Sequence, residues 1–293
     1  MSPRADYDVV IAGGGMVGAS LALALSDYSQ GRLSVLLVES FPFPKAGSAP
    51  VYRPSFDARS TALSFGSRQI LESIGVWSDL AEHVTAIDKI HVSDRGHIGS
   101  SLLTAAEQAW PALGYVVENA WLGSVLLNRL HTADGVTCLS PASVSKVEHT
   151  GGQAELTVEP KDGEPQRIRC GLLAVADGAQ SGLRTALGIA SQTVDYSQSA
   201  LIANVTFENP HQGIAYERFT DQGPIALLPL SDSEDGQARA ALVWTLSPED
   251  AERLQAVPEA EFLRRLQERF GYRQGRLLRC GERGLFPLQL VEA

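Results

Sequence analysis

The chain opens with a short β-branched run over residues 7–12, then a glycine cluster, an Ala- and Leu-rich stretch over 17–28 and a second apolar run over 33–39. A buried strand, a tight turn, a helix and another buried strand are what this pattern predicts, together a βαβ unit. Residues 60–74 put Leu63, Ile70, Leu71 and Ile74 on one stripe and are expected to be helical. The same holds for 119–131, with Leu122, Leu126 and Leu130, where Asn119 is placed to cap the helix. Between them, 87–103 alternates and contains Gly96 and Gly99, so it reads as a hairpin. Four prolines, Pro42, Pro44, Pro50 and Pro54, predict an extended surface loop over 41–54.

Short β segments recur over 136–158, and 170–176 is a continuous apolar strand that stops at Asp177-Gly178. After Gly188 the pattern changes. Runs at 200–207, 215–219, 225–230 and 240–246 read as antiparallel strands separated by turns. A helix over 259–270 follows, with Phe262, Leu263, Leu266 and Phe270 on one face.

Composition narrows the classes. With 293 residues, 44% apolar and 20% charged, the chain is neither disordered nor collagenous nor a coiled coil. A net charge of −10 has the wrong sign for a nucleic-acid partner. Its three cysteines, Cys138, Cys170 and Cys280, are far apart and form no CxxC pair, which suits a reducing cytoplasm. Residues 9–26 carry no charge, but Gly13, Gly14, Gly15 and Gly18 interrupt the run and argue against a signal peptide or membrane span. The expectation is a cytoplasmic protein. Its six histidines are scattered, and neither a Ser-His-Asp or Cys-His arrangement nor a metal-ligand cluster can be assembled from their spacing, so no catalytic side chain is assigned.

The chemistry that does stand out is Gly13-x-Gly15-x-x-Gly18 between a strand and a helix. The first glycine permits the turn, the second lets backbone approach a pyrophosphate, and the third lets the helix pack close to the strand. Glu39 ends the second strand 21 residues after Gly18, where an acid accepts hydrogen bonds from ribose hydroxyls and disfavours a 2′-phosphate. FAD or NAD is therefore expected there, and not NADP. The plain alternative is a glycine turn beside a surface acid.

Three segments resemble the single-component FAD-dependent aromatic hydroxylases: Gly13 to Gly18, Phe56-Asp57-Ala58-Arg59-Ser60-Thr61-Ala62-Leu63, and Ala176-Asp177-Gly178-Ala179-Gln180-Ser181-x-x-Arg184. Two more, His91-Val92-Ser93-Asp94-Arg95-Gly96-His97 and Glu217-Arg218-Phe219-Thr220 with Gly223 to Pro229, are similar to the ubiquinone-biosynthesis members, most of all those acting on a methoxyphenol. The resemblance implies an α/β fold: a Rossmann-like FAD-binding domain of discontinuous segments, 1–86, 112–188 and 282–293, and an antiparallel-sheet substrate domain, 87–111 and 189–281. It further implies hydroxylation of a polyprenylated methoxyphenol with oxygen and NAD(P)H, the oxygen delivered by a flavin hydroperoxide.

Carried over by this resemblance, Arg59 lies near the flavin and its diphosphate, and Asp177 with Gly178 meets FAD and the passing nicotinamide. Asn119 either contacts the flavin or only caps its helix. His91, Arg95 and His97 are substrate-domain candidates for which surface polar roles are the alternative. The resemblance also implies a further Gly-Asp-like segment after Phe286-Pro287-Leu288, so a fuller C-terminal part is expected beyond Ala293. Two other readings stay open, a nicotinamide-dependent dehydrogenase and a flavoprotein fragment that binds without catalysis. Finally, residues 264–283 hold seven arginines against Glu268 and Glu282. Either this segment turns toward an anionic membrane surface or an acidic partner of a ubiquinone-biosynthesis complex, or it is a solvated helix face.

Overall fold

The computed structural model describes residues 5–43, 59–150 and 152–293. The expected proline-rich loop lies, from Pro44 on, outside the described residues, as do Phe56, Asp57 and Ala58 of the second motif.

The expected βαβ unit is present as β1 (Tyr7–Ala12), α1 (Met16–Ser29) and β2 (Val35–Val38). Next come β3 (Ser60–Ser64), α2 (Phe65–Ser73), α3 (Trp77–Leu80) and β4 (Val84–Ile87). The hairpin follows as β5 (Lys89–Asp94) and β6 (Ser100–Thr104), then β7 (Gly114–Glu118) and α4 (Asn119–Leu130). Four strands, β8 (Val136–Leu139), β9 (Ala142–Thr150), β10 (Gln153–Pro160) and β11 (Gln166–Val175), lead to the short α5 (Gly182–Ala186). The remainder is β12 (Gln192–Phe207), β13 (Ile214–Phe219), β14 (Ile225–Leu230), β15 (Ala238–Leu246), α6 (Pro248–Ala256), α7 (Glu259–Phe270), β16 (Leu277–Cys280) and β17 (Gly284–Glu292).

Residues 60–74 are not one helix. The first five form β3, whose Ser60 to Ser64 pair with Glu118 to Gly114 of β7. Ser64 then caps α2, its hydroxyl accepting from the Ser67 N–H at 3.0 Å. Two serines three residues apart start the helix later than its apolar stripe suggests.

Three sheets result. The first has the order β8-β2-β1-β11-β10-β9, with β8, β2, β1 and β11 mutually parallel and β10 and β9 antiparallel. Parallel strands are covered on both faces. Here α1 and α4 cover one, packing Ala22, Leu23, Val125 and Leu126 on Ile11, Val35 and Leu37, while Val10, Leu36 and Val38 pack with Leu156, Val158 and Ile168 on the other.

The largest sheet runs β16-β12-β15-β14-β13-β5-β6, with β17 also paired to β12. It is antiparallel except that β13 and β5 run parallel, because the early hairpin joins the side of the later strands. One face carries α6 and α7, packing Phe262, Leu266 and Phe270 on Leu201, Leu227 and Trp244. Its other face meets the small sheet β3-β7-β4, where Ala215, Leu230 and Ala241 contact Ile87 and Val116.

Residues 282–293, expected in the nucleotide domain, instead extend this large sheet, since Gly284 to Glu292 pairs along β12 from Ile202 to Gln192. β12, 16 residues long, carries β15 along one edge, while the opposite edge is shared by β16 at Val205–Phe207 and β17 from Ile202 to Gln192. No helix of the described residues is long and apolar enough to cross a membrane.

Candidate functional site

β1 ends at Ala12 and α1 begins at Met16, so the glycine motif forms the turn between them. Gly13 has φ +107°, and a Cβ there would lie 2.3 Å from the Ala176 carbonyl oxygen. Only glycine lets the turn pass so close to the end of β11. A Cβ on Gly18 would fall on the Gly13 carbonyl, which is how α1 lies directly against the turn. Gly15 differs, because a Cβ there would meet nothing within 4 Å. It caps α1 without a side-chain hydrogen bond, and the first turn holds no acid. Free backbone N–H groups and the positive end of the helix dipole are therefore offered to an anion.

Gly15 opens on a cleft of about 710 Å³, whose lining includes Gly13, Glu39, Asp177 and Gly178. Glu39 is held by its own loop: Oε2 accepts from the Gly14 N–H at 2.6 Å, and Oε1 from the Phe41 N–H at 2.8 Å and the Ser40 hydroxyl at 3.0 Å. A carboxylate has about four acceptor positions, so one stays open to a ribose hydroxyl. Asp177 follows β11, where the Ala176 N–H donates to the Ala12 carbonyl at 2.7 Å and locks the two strand ends together. Its Oδ2 accepts weakly from the Leu183 N–H at 3.4 Å, and Gly178, at φ +94°, leaves open space where a Cβ would stand. The carboxyl ends of β1, β2 and β11 thus converge on one crevice, where open α/β sheets bind ligands. Glycines where a Cβ would fill the turn, a glycine facing empty volume and a fixed acid at its rim fit a dinucleotide such as FAD.

Residues 6–278 match the family described as FAD binding domain. The chain belongs to this family. It is 33% identical over 286 residues to ubiquinone hydroxylase UbiL of Rhodospirillum rubrum, covering 98% of this chain and 62% of that protein. It is 33% identical over 284 residues to the 3-demethoxyubiquinol 3-hydroxylase of Escherichia coli, covering 96% of this chain and 68% of that one. Among solved structures, the p-nitrophenol 4-monooxygenase PnpA of Pseudomonas putida has a TM-score of 0.70 at 18% identity, over 97% of this chain and 68% of that one, and shares the fold. The chain spans a little over half to two thirds of the length of its first relatives. These relatives bear out the resemblance to ubiquinone-biosynthesis hydroxylases.

Within this FAD-binding family member, Arg59 and Asn119 stand together but outside the residues lining the cleft. The Asn119 N–H donates to the Arg59 carbonyl at 2.7 Å, and Asn119 Oδ1 accepts from the Thr61 hydroxyl at 2.7 Å. Asn119 is not the helix cap. Glu118 occupies that position, and Asn119 is the first residue of α4. The Arg59 guanidinium lies 5.3 Å from the Phe286 ring centroid, a cation–π contact that ties it to β17.

Two of the hairpin candidates have ordinary ion-pair partners, and the third, His91, has a buried Nδ1 without a hydrogen-bond partner among the described residues. Arg95 pairs with Asp221 at 3.3 Å and His97 Nδ1 lies 2.8 Å from Asp94, both exposed, while the His91 ring packs beside Tyr216. The arginine-rich segment is likewise compensated. Arg264 bonds Glu261 and Glu268, Arg265 bonds Glu261, Arg269 pairs with Asp221 and Arg276 with Glu208. Arg264 and Arg265 hold the Glu261 carboxyl down at about 2.

Two features escape sequence reasoning. The far wall of the cleft comes from residues 142–145 of β9, which no local pattern marks. They are carried there by the Ala142 N–H, which donates to the Glu39 carbonyl at 2.7 Å. The other is a buried ion pair between Glu118 and Arg239. A charged Arg in the apolar run of β15 was its only sequence signal.

Proposed function

We propose that this chain forms the nucleotide-binding part and the substrate sheet of an FAD-dependent monooxygenase that hydroxylates a polyprenylated methoxyphenol of ubiquinone biosynthesis, using oxygen and NAD(P)H. The observation that carries the reading is the empty volume facing Gly15 at the start of α1, bounded by Glu39 and Asp177. Relatives named as ubiquinone hydroxylase and 3-demethoxyubiquinol 3-hydroxylase support the substrate class.

In this reading the first-turn N–H groups of α1 hold the pyrophosphate, and the remaining acceptor site of Glu39 takes a ribose hydroxyl. Asp177 and Gly178 form the opposite rim, and Arg59 with Asn119 stands at the junction with the large sheet. When bound, FAD supplies the redox chemistry that activates oxygen. The protein's own task is to hold the ring, exclude water and manage the phenolic proton. The sheet face opposite α6 and α7 is the wall available for the ring, because it is turned toward the nucleotide part through Ala215 and Val116.

The test is NAD(P)H-driven oxygen consumption by the FAD-loaded chain with and without a short-tailed prenyl methoxyphenol. Phenol-dependent uptake with a hydroxylated product is expected. Steady-state nicotinamide oxidation that leaves oxygen unconsumed and passes its electrons to another added organic acceptor would mark a dehydrogenase instead.

A further inference from the structure

Strand β13 separates its side chains cleanly. Ile214 and Tyr216 pack toward α6 and α7, while Ala215 packs toward the nucleotide part. Side chains alternate along a strand, so Glu217 shares the face of Ala215. Its cross-strand neighbours are Val92 on β5 and Ala226 on β14. Along its own strand the next residue on this face is Phe219, whose side chain is 49% exposed. Glu217 is therefore a carboxylate among apolar neighbours on the face of the large sheet that meets the small sheet β3-β7-β4.

Among the described residues no donor reaches it. Glu217 is half-buried and takes part in no hydrogen bond or ion pair among the described residues. Its sequence neighbour Arg218 points to the other face, where its Nε donates to the Arg269 carbonyl at 3.0 Å. Of the charged groups on Glu217's own face, Asp94 stands at the end of β5 beside Phe219, and Arg239 is bound to Glu118. Burial alone pushes the Glu217 carboxyl up. A half-buried acceptor without a donor is destabilising, and such groups gather where a ligand supplies the partner.

The chemistry of that ligand follows from the surroundings. Val92, Ala226 and Phe219 favour an apolar ring, the Glu217 carboxylate between them calls for an O–H or N–H donor, and a carboxylate repels an anion. A neutral phenol has this form. Resting on the hydroxylase reading above, we propose that Glu217 accepts the hydroxyl hydrogen of the phenolic substrate and takes that proton as the ring is hydroxylated. The phenol O–H bond breaks, its electron pair stays on the ring oxygen and enriches the ring, and the hydrogen forms a new O–H bond on Glu217. The resulting carboxylic acid returns the proton to water after the product leaves. A carboxylate whose proton affinity is raised by burial is better suited to accept a proton than an exposed one.

The experiment compares a prenylated 2-methoxyphenol with its methyl ether, which lacks the hydrogen, for binding to FAD-loaded wild type, Glu217→Gln and Glu217→Asp. Flavin fluorescence records FAD loading separately. Wild type should bind the phenol at least roughly tenfold more tightly than the ether, the scale of a hydrogen bond to a charged group. Glu217→Gln should lose that preference while keeping the ether affinity and FAD loading, and Glu217→Asp should keep part of it. An undiminished preference in Glu217→Gln, or no preference in FAD-loaded wild type, overturns the role of Glu217 and leaves the flavin site standing. Failure of wild type to load FAD overturns the hydroxylase reading on which it rests.

Discussion

Arg239 of β15 donates to Glu118 at the end of β7, and both side chains are buried where the large sheet meets the small one. Arg239 Nε also donates to the Ser231 carbonyl at 3.0 Å. Because Asn119 begins α4 next to Glu118, this pair fixes the start of that helix and the Arg59 junction against the sheet. Removing one partner strands a buried charge, which costs about 3–5 kcal/mol. Glu118→Leu and Arg239→Met should each lower stability by that amount in urea unfolding, and the double substitution should recover much of the loss. Additive losses would show that the two residues act separately.

Glu217 gives a prediction of opposite sign. Its folded-state carboxyl is raised by burial, so its favourable contribution is complete below the ordinary glutamate value of about 4.3 and is lost as pH rises through the raised value. Glu217→Gln, neutral throughout, should melt a few degrees higher than wild type near about pH 7, with the gap closing below about pH 4. A constant gap across thermal melts at both values would mean the carboxyl charge is not the cause.

Burial also silences the thiols. Cys280 is pushed up to about 12, and Cys138 and Cys170 are raised by the same cause. Since the thiolate is the reactive form, N-ethylmaleimide at about pH 8 should leave the native chain unlabelled and label all three cysteines in urea. Mass spectrometry reads the count directly.

The salt-bridged arginines of α7 should contribute little to any attraction for anionic membranes. Substituting Arg264, Arg265 and Arg269 by glutamine is expected to leave co-sedimentation with anionic vesicles unchanged at low and high salt, where screening differs most. A salt-dependent loss of binding would restore the membrane-facing alternative.

The glycine turn, Glu39 and Asp177 were legible in the sequence because each lies at the end of a strand whose apolar run is unmistakable. The large sheet was legible in its strands and not in its edges. β17 joins β12 by continuing along the edge that β16 begins, a pairing set by tertiary contact and by no local signal. α6 carries its own local signal: Ser247 caps it, accepting from the Asp250 N–H at 3.2 Å, with Pro248, Glu249 and Asp250 in the first turn. The β9 wall of the cleft and the Glu118–Arg239 pair join residues about a hundred positions apart, which periodicity cannot bring together.

The claim that the cleft beside α1 holds FAD is tested most directly by flavin fluorescence titration of wild type, Gly15→Val and Gly18→Val. A valine at Gly15 projects into empty volume, so that chain should fold with an unchanged melting temperature yet lose saturable FAD binding. A valine at Gly18 would collide with the Gly13 carbonyl and should lower the melting temperature itself. Saturable quenching in wild type that disappears in folded Gly15→Val is the predicted result. Equal FAD affinity in wild type and Gly15→Val would contradict the account.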